Sequence, residues 1–153
     1  MSPALPKPYT EPVHHLLTLA GQISSDLAAG YTGTEHLLLA LLLFKEAGAS
    51  RILRQRGITE EDLTRRLRNL MVTREPSDRP IPSTRPTDQV NQVLSDAIDE
   101  ADRCGFPYVA SEQILIALLR QEDTVAARVL QGAGFDLAAA REAVEELHAR
   151  GAD

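Results

Sequence analysis

From Thr10 onward an apolar side chain returns every three or four residues, at Val13, Leu16, Leu17, Ala20, Ile23 and Leu27. That spacing lines one face of a helix. Thr10 offers a hydroxyl to the free amides of the opening turn, and Glu11 stands where the helix macrodipole favours negative charge. A glycine-bearing turn then leads into Gly33-Thr34-Glu35-His36 and the apolar run Leu37 to Leu43. This second segment is apolar nearly all round, which predicts a central buried helix beginning at Thr34. Its polar N-terminal end is expected to stay exposed and so to be a candidate binding point. A short third helix, Ala49 to Gln55, stops before Gly57, a residue able to close it in the left-handed conformation. Thr59-Glu60-Glu61-Asp62 announces a fourth, whose inward face would be Leu63, Leu67 and Leu70.

The same order of segments then returns. A shift of 77 residues aligns 10–76 with 87–153 without a gap and with 15 identities in 67 pairs, among them Val13 with Val90, Leu17 with Leu94, Glu35 with Glu112 and Gly57 with Gly134. This is an internal duplication. The second copy carries Val90, Val93, Leu94, Ala97, Ala101 and Cys104 on its first helix. Ser111 opens its second, Val125 to Gln131 form its third, and Asp136 announces a fourth with Ala140, Val144 and Leu147 inward. Prolines at 76, 80, 82 and 86 make residues 73–86 an extended connector between the copies. A unit this short and poor in aromatics makes a thin core, so the halves are expected to pack about an approximate two-fold axis. The expected fold is all-α: two tandem four-helix repeats, 9–72 and 87–149, in one domain spanning 1–153.

Composition narrows the chemistry. The formal charge is -6, whereas phosphate-backbone binding needs a clustered basic surface, so nucleic acid is not expected as a partner. Arginines gather between Arg51 and Arg74, but Glu60, Glu61 and Asp62 interrupt them, and the expectation is a solvated helix face. The run Leu37 to Phe44 is far below the roughly 20 residues of a membrane helix, and the start lacks signal-peptide organisation. A cytoplasmic protein without a membrane partner is expected. Cys104 is the single cysteine and is expected to act as a small, partly buried hydrophobe. His14, His15 and His36 lack metal-ligand spacing, and Ser24-Ser25-Asp26 lacks a nucleophile elbow. Neither catalysis nor a cofactor is expected.

Tyr9-Thr10-Glu11, Gly33-Thr34-Glu35-His36-Leu37-Leu38-Leu39-Ala40-Leu41, Ala49-Ser50-Arg51-Ile52-Leu53 and Gly57 resemble the Clp N-terminal repeat. Asp99-Glu100-Ala101, Tyr108 to Leu115, Ala126 to Leu130 and Gly134 resemble the second half of the same domain, closest to the ClpC branch of the Hsp100 unfoldases. In that family the domain precedes ATPase modules and receives adaptors and substrates. No GxxxxGK[ST] phosphate loop occurs in this chain, so the resemblance is to a free-standing Clp N-domain protein or a fragment of a longer unfoldase, without ATP hydrolysis of its own.

The resemblance also implies a ligand. In ClpC-type domains the glutamate of the Gly-Thr-Glu motif helps to bind phosphoarginine, and the matching residues are Glu35 and Glu112, with Thr34 and Ser111 shaping the helix starts. A carboxylate can accept two parallel bonds from a guanidinium while helix N-terminal amides suit the phosphate. The second copy departs, because Ala110 restricts a turn that glycine leaves free and Gln113 removes what histidine contributes. The first site therefore ranks above the second. The expected function is a non-enzymatic module binding protein substrates or adaptors in Clp quality control. The alternative is a structural accessory subunit docked on a Clp unfoldase or protease core.

Overall fold

The computed structural model describes residues 8–26, 30–71 and 86–149, excluding the side chains of 68–71. The expected connector therefore lies outside the described residues except for Pro86, as do Leu27 and the side chain of Leu70. The described residues form α1 (Glu11–Asp26), α2 (Thr34–Leu43), α3 (Gly48–Gln55), α4 (Glu60–Met71), α5 (Asp88–Cys104), α6 (Ser111–Arg120), α7 (Val125–Gly132) and α8 (Leu137–Ala149). The all-α reading and the order of four helices in each repeat hold.

Several ends follow from the residues singled out in the sequence. Thr87, the register mate of Thr10, accepts the Val90 N–H at Oγ1 at 3.2 Å, Thr59 Oγ1 that of Asp62 at 3.1 Å, and Asp136 Oδ1 that of Ala139 at 2.8 Å. Gly57 and Gly134 take φ of 78° and 85°, where a Cβ would be strained, and so close α3 and α7. The starts of α2 and α6 differ from expectation. Their N-caps are Gly33 and Ala110, neither with a side-chain acceptor, and Thr34 and Ser111 stand one residue inside. The bond runs in the reverse sense: the Gly33 N–H donates to His36 Nδ1 at 2.9 Å, and the Ala110 N–H to Gln113 Oε1 at 2.9 Å. Gln113 thus replaces the acceptor that His36 provides and removes nothing at this cap.

The duplication becomes a pseudo-two-fold through exchanged backbone bonds. The Thr10 N–H donates to the Val109 carbonyl and the Thr87 N–H to the Thr32 carbonyl, each at 3.0 Å. Residues 10 and 87 are register mates, and so are 32 and 109. The segment entering the first helix of each repeat is therefore pinned beside the buried helix of the other. Helix packing repeats the exchange, with α2 against α7, α3 against α6, and α2 crossing α6. Leu37, Leu38, Leu41 and Leu42 on α2, with Ile114, Leu115, Leu118 and Leu119 on α6, join one apolar core. Burying a leucine there contributes about 1.5–3 kcal/mol.

On α5 two positions depart from the expected pattern. Cys104 is exposed, not partly buried, at the last position of the helix, where left-handed Gly105 turns the chain. Glu100, a turn earlier, is buried at 3% exposure. Arg141 Nη2 of α8 reaches its Oε1 at 2.8 Å and Arg120 Nη1 of α6 at 3.3 Å, while Arg120 also binds Asp99 at 2.9 Å. This cluster ties α5, α6 and α8. The register mates of Glu100, Arg120 and Arg141 are Ile23, Leu43 and Thr64, so repeat one solves the same junction without charge.

Two outcomes follow for stability. Glu100→Ala leaves two guanidiniums without their buried partner and should lower unfolding free energy in urea by about 2–4 kcal/mol, whereas the triple change Glu100→Ile, Arg120→Leu, Arg141→Thr should recover most of the loss. His36 is fully buried, and desolvation lowers its pKa to about 4 from 6.5. Above pH 6.5 the ring is neutral in both states; as pH falls from 6.5 towards 4 the unfolded chain takes up a proton that the folded chain refuses. Stability should then drop by up to about 3 kcal/mol, and His36→Gln, copying repeat two, should flatten that part of the profile measured by urea unfolding.

Candidate functional site

Thr34, Glu35, Ser111 and Glu112 are turned inward, with exposures of 2%, 3%, 2% and 4%. This corrects the expectation of an open helix end. At α6 the cause is the exchange between repeats, which sets its opening turn on α3 through Ser111 and Glu112, while α2 packs against α7. The Glu35 carboxylate folds back over its own cap, where a Cβ at Gly33 would lie 1.7 Å from Oε1. Gly33 and Ala110 share one backbone conformation, φ -101° and -100°, so the glycine is needed for space and not for the turn. Glu35 Oε1 stands 3.8 Å from His36 Nδ1. That nitrogen accepts the Gly33 N–H and belongs to a neutral ring, so the approach is not an ion pair.

Glu112 takes a different place. Its carboxylate packs on α3, where a Cβ at Gly48 would come within 3.0 Å of it. Ser111 Oγ accepts the Ala49 N–H at 3.1 Å and donates to Glu112 Oε2 at 3.1 Å. The N-cap of α3 is Ala47, which has no acceptor, while its register mate Thr124 caps α7 itself by accepting the Ala127 N–H at 3.2 Å. Ser111 therefore supplies from repeat two the cap that repeat one lacks. His148 Nε2 of α8 lies 3.5 Å from Glu112 Oε1. The two hooks thus hold helix openings inside the core.

An open concavity lies elsewhere among the described residues. A cleft of about 480 Å³ lies between α1 and α5, where Leu17 and Leu94 are partly exposed over buried Ala20, Leu37 and Val90, with Thr18, Gln22 and Ser25 at its α1 side. Leu17 and Leu94 are register mates facing it from opposite repeats. No charged side chain is among its described lining residues, so what it can offer a ligand is burial of apolar surface. Leu17 and Leu94 were legible in the sequence as helix-face leucines, but their incomplete burial was not. No described helix is long and apolar enough to cross a membrane.

The sequence pattern that defines the Clp repeat N-terminal domain matches residues 8–133 and 85–153. Over 139 residues, 91% of the chain, it is 32% identical to the negative regulator of genetic competence ClpC/MecB of Bacillus subtilis, and likewise to chaperone protein ClpB of Oceanobacillus iheyensis. The match spans 17% of each relative. The fold is similar to the Hsp104 N-terminal domain from Candida albicans, with TM-score 0.74 and 20% identity over 96% of this chain and 94% of that one. It is similar also to the N-terminal domain of ClpD from Arabidopsis thaliana, with TM-score 0.71 and 21% identity over 91% of this chain and 96% of that one. The exchanged helical repeats and the pattern match together place this chain in the Clp repeat N-terminal domain family.

Proposed function

We propose that the chain is a non-enzymatic binding module of Clp protein quality control, which holds an extended apolar segment of a protein substrate or adaptor in the cleft between α1 and α5. The uncharged wall formed by Leu17, Leu37, Val90 and Leu94 carries this reading. Such a wall selects apolar side chains, and the threonine, glutamine and serine along α1 offer hydrogen bonds to an extended backbone. Nothing in this role asks for a nucleophile, a metal or a nucleotide.

Phosphoarginine is the finer reading that the ClpC-like motif suggested, through Glu35 and Glu112 with Thr34 and Ser111. Their burial speaks against direct contact in this conformation. A phosphorylated guanidinium would have to displace the Ser111–Ala49 bond in one repeat and open the Glu35–Gly33 contact in the other. Each step exposes amides that are now satisfied or shielded, at a cost of about 1–3 kcal/mol.

Two measurements separate these readings. Fluorescence anisotropy with a labelled, uncharged peptide of Leu, Val, Ser and Thr should show saturable binding, weakened about tenfold or more by Leu94→Asp with the helical circular dichroism intact. Loss of the fold-intact variant's effect would sink the cleft. Titration with free phosphoarginine should give no saturable signal, and the Glu35→Ala, Glu112→Ala double variant should change thermal stability instead. Micromolar phosphoarginine binding that the double variant abolishes would return the function to the helix openings.

A further inference from the structure

Leu17 and Leu94 are the one pair of register mates among the described residues lining the cleft between α1 and α5, so the pseudo-two-fold passes beside them and the cleft lies to one side of it. From Leu17 the wall runs along α1 through Gly21 to Ser25, a stripe at i, i+4 and i+8. The matching stripe on α5, in the other half of the groove, is Leu94, Ile98 and Asp102. Pro86, which also lines the cleft, corresponds to Tyr9. Ile98 and Tyr9 are half-buried and pack against the core. One half of the groove is thus occupied by a branched side chain and an aromatic ring, where the other half has only a glycine hydrogen and a pyrrolidine ring.

Folding alone gives no reason for this glycine. Gly21 lies in the interior of the 16-residue α1, where glycine weakens a helix relative to alanine. A Cβ at Gly21 would meet no atom within 4 Å outside its own stretch of helix, whereas one at Gly33 or Gly48 would strike a glutamate carboxylate. What the glycine does is leave room in the cleft wall. The fringe differs as well, since Gln22 and Ser25 beside the cleft correspond to Asp99 and Asp102. The open half of the groove is therefore the uncharged half.

We propose that Gly21 is the specificity-determining position of this cleft: it makes room for one bulky apolar side chain of the extended segment, leucine or phenylalanine in size, seated against Leu17, Leu37 and Leu94. This rests on the cleft being the binding surface, and adds to it the kind of side chain the cleft selects. A leucine would remove its own surface from water at this seat, while an alanine would leave a void over Gly21 and forgo those contacts. The seat occurs once in the chain, because Ile98 stands at the matching place in the other half.

The test uses labelled, uncharged peptides of Val, Ser and Thr that differ at one central residue, Ala, Leu or Phe, titrated against the full chain by fluorescence anisotropy. The Leu and Phe peptides should bind about tenfold or more tighter than the Ala peptide. Gly21→Ile, which copies Ile98, should bring the three affinities within about twofold of one another with helical circular dichroism intact. Gly21→Ala should reduce the preference about threefold while raising the Tm by about 2–4 °C, a loss of selectivity with a gain in stability that a purely structural glycine would not give. Equal binding of the three peptides by the unmodified chain overturns the proposal. So does an unchanged preference in both Gly21 variants while Leu94→Asp weakens all three peptides, an outcome that leaves the cleft in place and removes only the role of Gly21. If Leu94→Asp is without effect as well, the cleft and the assignment of Gly21 fall together.

Discussion

A helix whose first turn is buried has amides that water cannot reach, and each must be met from within or shielded. That requirement governs both halves of this molecule. The N-caps of α2 and α6 are residues without side-chain acceptors, so the third residue inward reaches back, an imidazole nitrogen in one repeat and an amide oxygen in the other. The start of α3, capped by Ala47, takes its acceptor from Ser111 of the opposite repeat. The polar hook is therefore part of the joint between repeats, and its burial is the cost of packing two thin cores into one.

Duplication leaves two copies of each junction, and the copies have diverged in chemistry more than in shape. Glu35 lies over its own cap while Glu112 crosses to α3 and His148. The flank around Glu100 is ionic in one repeat and aliphatic in the other. Such divergence at conserved geometry marks where the two repeats meet different demands, one closing on itself and one leaving apolar surface half covered.

Much of the fold was legible because periodicity, caps and an ungapped repeat all pointed to one answer. Val13, Leu16, Val90, Val93 and Ala97 are buried where a 3.6-residue period puts them, and Gly57 and Gly134 close their helices as left-handed residues. The candidate site was less legible, for a physical reason. A first-turn acid reads the same whether its helix begins at the surface or against another repeat, and only the exchanged packing decides which. Glu100 was named in the sequence only as part of the family resemblance, and its burial was not legible there, since its arginine partners lie 20 and 41 residues away in sequence. Cys104 looked apolar by spacing, but the helix ends there.

Recognition is proposed to fall on the uncharged cleft between the repeats, while the duplicated glutamates lie in the interior. Methyl-resolved nuclear magnetic resonance of the leucine- and valine-labelled chain, titrated with an uncharged apolar peptide, tests this most directly. Shifts concentrated on Leu17, Leu37, Val90 and Leu94, with Leu38 and Leu115 near the helix openings unmoved, are the predicted result. Shifts centred on the openings of α2 and α6, with the cleft methyls silent, would contradict it.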